Sequence, residues 1–88
     1  MYEILPYTKA RAKKANLIVK PSVKKNKKLD VYDANNKYIA TVGQMPYLDY
    51  PHFIKEEGQK VADERRRLYH LRHTKNTLNE NLAKYLLW

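Results

Sequence analysis

Hydrophobic and polar positions alternate most cleanly in "LDVYDANNKYIATVG", residues 29–43. Leu29 and Val31 alternate with Asp30 and Tyr32, and Asp33 continues their register. Tyr38, Ala40 and Val42 alternate with Ile39 and Thr41. A period of two built on β-branched and aromatic residues predicts a half-buried β-hairpin. Asn35 and Asn36 in the connection tolerate the positive φ of a tight turn, and Gly43 ends the second strand. A lone two-stranded hairpin is marginal in water, so this one must pack on something.

The period then lengthens. Pro46 and Pro51 punctuate "QMPYLDYPHF", and Asp49 stands where it can cap a helix with Pro51 in the first turn. In "PHFIKEEGQKVADERRRLYHLRHTKN", Ile54, Val61 and Leu68 recur every seven residues, with Phe53, Tyr69 and Leu71 widening the stripe. Gly58 interrupts it, either ending a short first helix or letting another chain come close. After the break "TKNT", Leu78, Leu82, Tyr85 and Leu86 mark a short amphipathic helix, too short to stand alone. Trp88 is costly to leave in water. It is a core plug against the hairpin or an anchor on another subunit.

Charge divides the chain differently. The 88 residues carry +9, but residues 1–28 hold nine basic residues against Glu3, a balance of +8. Residues 29–88 hold nine basic residues against eight acids, a balance of +1. Blocks of like charge resist folding alone and often act as interaction arms. "KANLIVKPSVKKNKK", broken by Pro21 and Ser22, reads as such an arm. The expected organisation is therefore α+β: a basic extended N-terminal arm over 1–28, and a small domain over 29–88. That domain comprises the hairpin, one long or broken helix, and a short C-terminal helix packed on the hairpin. A chain this short forms one small domain at most, with a thin stability margin.

An arm of this kind neutralises phosphates without reading sequence. Lys13, Lys14, Lys24, Lys25, Lys27 and Lys28 are its candidate polyanion contacts, and Leu17, Ile18 and Val19 could pin it to a protein groove. Its alternatives are an acidic protein neighbour, a solubilising tail, or a nuclear import signal in "KPSVKKNKK". The cluster "ADERRRLYHLRH", residues 62–73, is less simple. Arg65, Arg66 and Arg67 fan across about 200° of a helix and cannot all face one backbone. Arg67 lies four residues after Asp63, the favourable order for an ion pair. The stems of Arg65 and Arg72 share a face with Leu68 and can cover apolar surface. A self-paired, solvated face is the expected reading, with Arg66, Arg67 and Lys60 the candidates to reach phosphate.

Other chemistry is sparse. His70 and His73, or His52 and Glu56, have helical spacings that could hold a metal, but no third ligand stands at a telling distance. The eight tyrosines could stack unpaired bases, though Tyr32, Tyr38, Tyr47, Tyr50 and Tyr69 also suit a small amphipathic core. With two glycines, no phosphate loop and no nucleophile–base arrangement, neither an enzyme nor a cofactor is expected. The chain has no cysteine and hence no disulfide or thiolate metal site. No apolar run approaches the roughly 20 residues that span a bilayer. The N-terminus lacks a secretory core. A soluble protein is expected, inside a cell or packed into a larger particle.

Taken together, "DVYDANNKYIATVG", "DYPHFIKEEGQKVADERRRLYHLRH" and "LAKYLLW" resemble a family of small basic proteins of unknown function encoded by DNA viruses, both phages and large eukaryotic viruses. The similarity spans about residues 29–88. Its most specific elements are "VYDANNK", "DYPHF", "ADERRRLYHLRH" and the terminal "LLW". The resemblance implies a viral origin and a virion or genome-associated role, and brings no catalytic residue or cofactor. The leading expectation is a minor virion structural protein beside capsid proteins. Its arm would contact neighbouring subunits or packaged genome, and it would reside in the host cell interior before assembly. A sequence-independent nucleic-acid-binding protein and an adaptor for a host protein are the alternatives.

Overall fold

The computed structural model describes residues 2–88 and is α+β. Helix α1 (Pro6–Lys14) leads into strands β1 (Ile18–Pro21), β2 (Lys27–Tyr32) and β3 (Tyr38–Gln44). Helices α2 (Tyr50–Glu57), α3 (Gln59–Arg72) and α4 (Leu78–Leu87) follow. The sheet is antiparallel in the order β1-β2-β3, with Leu29 opposite Val42, Val31 opposite Ala40, and Lys20 opposite Asp30.

The hairpin forms as its alternation predicts. Leu29, Val31, Ala40 and Val42 are buried and meet Ala83, Leu86 and Leu87 of α4 in the core. Asn36 turns the chain with φ 64°, and the Asp33 carboxylate accepts the N–H groups of Asn35 and Lys37, both at 2.9 Å. Asp49 caps α2 by accepting the His52 N–H at 3.2 Å, with Pro51 in the first turn. Thr77 caps α4 by accepting the Glu80 N–H at 3.2 Å. The apolar stripe of α4 is rotated from the expected one. Ala83, Leu86 and Leu87 are buried while Leu78 is exposed.

The front third corrects the expectation of an extended arm. Pro6 starts α1 with a preset φ, and Arg11, Lys13 and Lys14 sit favourably at its negative end. Thr8 and Ala12, one turn apart, face inward, and the Thr8 hydroxyl donates to the Leu86 carbonyl at 2.8 Å. Asn16 then takes φ 59°, and "IVKP" becomes an edge strand on the hairpin. Leu17 and Val19, expected in a partner's groove, pack against this protein's own core, and Ile18 is half-buried in β1. The β-branched pair Ile18–Val19 had the propensity for a strand. Surrounding lysines masked it, because charge block and edge strand are compatible.

Gly58 divides α2 from α3 with φ 91° and ψ 167°. That region of backbone space is essentially closed to residues with a Cβ. A Cβ at Gly58 would meet nothing within 4 Å, so the glycine serves the bend and not a close approach. Gly58→Ala is expected to cost about 1–3 kcal/mol from backbone strain alone, read as a lower urea midpoint with an unchanged m-value.

Candidate nucleic-acid interface

Two carboxylates of the sheet region are buried, and each is consumed internally. Asp49 is fully buried. Its carboxylate accepts the Tyr2 hydroxyl at 2.5 Å, the Lys28 ammonium at 3.0 Å and the His52 backbone N–H at 3.2 Å, and lies 2.7 Å from His52 Nδ1. Burial alone would raise the Asp49 carboxyl. The Lys28 charge and the hydrogen bonds from Tyr2, His52 and Lys28 hold it below the usual range. Burial pulls the Lys28 ammonium down, against the attraction of Asp49. Burial, then the Asp49 charge, pushes the Tyr2 phenol up. This cluster ties the N-terminal segment, β2 and the start of α2 into one clasp. Lys28, expected among the polyanion contacts, is therefore a buried structural cation and is withdrawn from that set.

Asp30 is the second. It accepts Ser22 Oγ at 2.8 Å, Thr41 Oγ1 at 2.7 Å and the Val23 N–H at 3.4 Å. Burial would raise its carboxyl, but the Thr41, Ser22 and Val23 hydrogen bonds and the Lys24 charge hold it low. Lys24 Nζ donates to Tyr38 Oη at 2.9 Å and Thr41 Oγ1 at 3.0 Å, which raises the lysine and lowers the phenol. Lys24 lies over the Tyr38 ring at 4.8 Å and Lys20 over the Tyr32 ring at 5.1 Å. The rings of Tyr32 and Tyr38 meet edge to face. One face of the sheet thus presents Lys20, Lys24, Tyr32 and Tyr38, with its acid turned inward and satisfied.

The front third carries further exposed lysines, on the sheet and on the helix packed against its core face. Lys9, Lys13 and Lys14 on α1, Lys20 on β1, and Lys24, Lys25 and Lys27 at the β1–β2 turn are all exposed. Asn26 takes φ 62° inside that turn, and the Lys24 N–H donates to Ser22 Oγ, so the lysine loop is shaped by local hydrogen bonds. Glu3 pairs with Lys55 at 3.2 Å. Exposed acids stand on α2 and α3, at Glu56, Glu57, Asp63 and Glu64, interspersed with Lys55, Lys60, Arg65, Arg66, Arg67 and Arg72, so those helices are nearly balanced.

The arginine helix is largely engaged with its own surroundings. Arg67 makes two hydrogen bonds to Glu64, at 2.6 and 3.1 Å, and not to Asp63. Asp63 accepts Tyr50 Oη and Gln59 Nε2, both at 2.8 Å. Arg66 lies over the Tyr50 ring at 4.7 Å and Arg65 over Phe53 at 5.6 Å. Arg66 and Arg67, expected as phosphate contacts, are thus each partnered locally, by the Tyr50 ring and by Glu64. The spacing missed the Tyr50 hydroxyl as a donor to Asp63 because that contact joins two helices across the Gly58 bend.

The histidines take separate roles. His52 belongs to the Asp49 clasp, His70 meets Tyr69 edge-on, and His73 Nδ1 lies 2.6 Å from Glu80. Among the described residues, no three His, Asp or Glu side chains gather as metal ligands. Tyr69 stacks on both His73, at 4.0 Å, and Trp88, at 4.3 Å between ring centroids. Trp88 is half-buried against the core and reaches Phe53, so its anchor is within the chain, on α2 and α3. Beside this stack an open groove of about 540 Å³ runs between β3, α3 and α4.

No helix among the described residues is long and apolar enough to cross a membrane. No family model, curated protein or solved structure matches this chain.

Proposed function

We propose that the protein binds nucleic acid through its phosphate backbone, without reading base sequence. The binding contacts are the exposed lysines of β1 and the β1–β2 turn, together with those of α1. The observation that supports this reading is charge segregation. Seven lysines between positions 9 and 27 are exposed. The acids nearest in sequence are buried, at Asp30, or drawn away, at Glu3. Lys13, Lys14, Lys24, Lys25 and Lys27 remain the working contacts from the sequence, joined by Lys9 and Lys20. These lysines stand on folded elements, so they are presented without the ordering cost of a flexible arm.

The test is binding of the full chain to short DNA across a salt series. If about six phosphates are contacted, affinity is expected to fall roughly a thousandfold between 50 and 200 mM salt. A flat salt response, or no binding at moderate salt, would reject the reading. Deleting residues 1–28 is not a usable control, because it removes α1 and an integral strand.

The motif resemblance over residues 29–88 supports a setting in a DNA virus. There the protein would be a minor component of the particle, beside capsid proteins and close to the packaged genome. Fixed stoichiometry in purified particles tests that setting independently of the binding assay.

A further inference from the structure

We infer that the groove between β3, α3 and α4 is a site for an unpaired nucleobase, so that the nucleic acid bound is single-stranded. This rests on the proposed backbone binding and gives it a substrate class.

Four observations carry it. The groove, at about 540 Å³, has the size of a small-ligand site and is open to solvent. Its lining includes Tyr47, Tyr69 and Trp88; Tyr69 is already stacked between His73 and Trp88, so Tyr47 and Trp88 are the rings left for a base. Tyr47 is 70% exposed, so core packing does not explain it. Lys27 also lines the groove, and it belongs to the same turn as Lys24 and Lys25, its N–H donating to the Lys24 carbonyl at 3.3 Å. A strand whose phosphates follow that turn therefore arrives at the groove mouth.

The groove chemistry suits a base better than an apolar side chain. Gln44 brings a side-chain amide to it, able to donate to and accept from base edges, and Asn79 brings a second whose Nδ2 already donates to the Thr41 carbonyl at 3.1 Å. The Glu80 carboxylate, which also lines it, is already engaged by His73. Aromatic rings accept any base by stacking, which agrees with backbone binding that reads no sequence. A duplex offers no unstacked base, so the groove distinguishes single strands from duplexes.

Trp88 is the only tryptophan, and it provides the readout. The full chain is titrated with a short oligothymidylate and with an abasic strand of equal length, following Trp88 emission and, separately, anisotropy of the labelled strand. The expected result is that both strands bind but only oligothymidylate quenches Trp88 and binds more tightly. Tyr47→Ala is expected to weaken oligothymidylate about 5- to 100-fold and to leave the abasic strand unchanged. The exposure of Tyr47 makes that variant compatible with folding, checked by circular dichroism.

Equal affinity for the two strands, with no quenching and no effect of Tyr47→Ala, would overturn the inference and leave backbone binding standing. Failure of both strands to bind would reject the backbone reading and this inference with it. Quenching by a tryptophan- or phenylalanine-containing peptide amide, but not by oligothymidylate, would reassign the groove to a protein side chain and also overturn it.

Discussion

Replacing Asp49 by alanine is expected to remove about 3–5 kcal/mol of folding stability, because it leaves the Lys28 ammonium buried without its partner. For 88 residues the total is on the order of 4–13 kcal/mol, so this single change brings the protein close to unfolding. Lost with the carboxylate are the α2 cap, the acceptor for Tyr2 and the link that holds β2 to the N-terminal segment. In a domain of this size each kcal/mol shifts Tm by roughly 4–8 °C, so a fall of more than about 12 °C is expected by calorimetry. Asp49→Asn separates the contributions. The amide can still cap α2 and accept from Tyr2 but cannot balance Lys28. A Tm within a few degrees of the parent for Asp49→Ala would show that the clasp contributes little.

The same cluster sets the acid limit of stability. The folded Asp49 carboxyl lies below its unfolded value of 3.8. Its contribution is therefore complete above about that pH and is lost as pH falls through the lower folded value. Tyr2 works in the opposite direction. Its phenol is raised above the ordinary 10.0, so its contribution holds below that pH and is lost as pH climbs beyond it. Thermal melts across pH 2–6 are expected to steepen downward below about pH 4 in the parent, and to do so less in Asp49→Asn.

Charge reversal at the β1–β2 turn is the second large effect. Lys24, Lys25 and Lys27 are exposed and share one turn. If each meets a phosphate, removing three contacts lowers the salt slope by about 3, and affinity by roughly two to three decades at 0.1 M salt. The triple Lys→Glu variant is expected to show that loss with its fold intact, because only Lys24 among the three makes side-chain hydrogen bonds within the sheet network. Arg66→Glu with Arg67→Glu changes the formal charge by four units, against six for the turn variant, but on α3, outside the proposed contacts. It should leave the salt slope nearly unchanged. If the arginine variant lost as much binding as the lysine variant, the interface would have to be moved to α3.

What could be read from single positions follows the range of the forces involved. The hairpin, the Asn36 turn, the Asp49 cap, the Gly58 break and the final helix depend on residues within a few positions of one another, and all occur. The arm reading failed because it weighed charge above two short signals. Pro6 stands at a helix start, and Ile18–Val19 between Asn16 and Pro21 marks a short strand. Trp88 was recognised as needing an anchor. Its anchor, Tyr69, lies nineteen positions away on a separate helix, beyond the reach of periodicity.

The binding surface was legible in part. The lysine-rich front third is a compositional fact, and Lys13, Lys14, Lys24, Lys25 and Lys27 remain exposed as their charge suggests. Lys28 could not be told from Lys27 by type or neighbourhood, yet one is exposed and the other is buried against Asp49, twenty-one positions on.

The sequence by itself determined the α+β composition, the hairpin, the helix caps and breaks, and the concentration of positive charge ahead of residue 29. Those features arise from backbone propensity and from side chains acting on near neighbours. Only the tertiary structure decided that the basic segment is part of the fold, which lysine is buried, and which acid and aromatic rings the arginines meet. It alone opened a groove beside Tyr69 and Trp88. Those outcomes depend on which distant groups burial brings together, because a buried charge must find a partner wherever the chain supplies one.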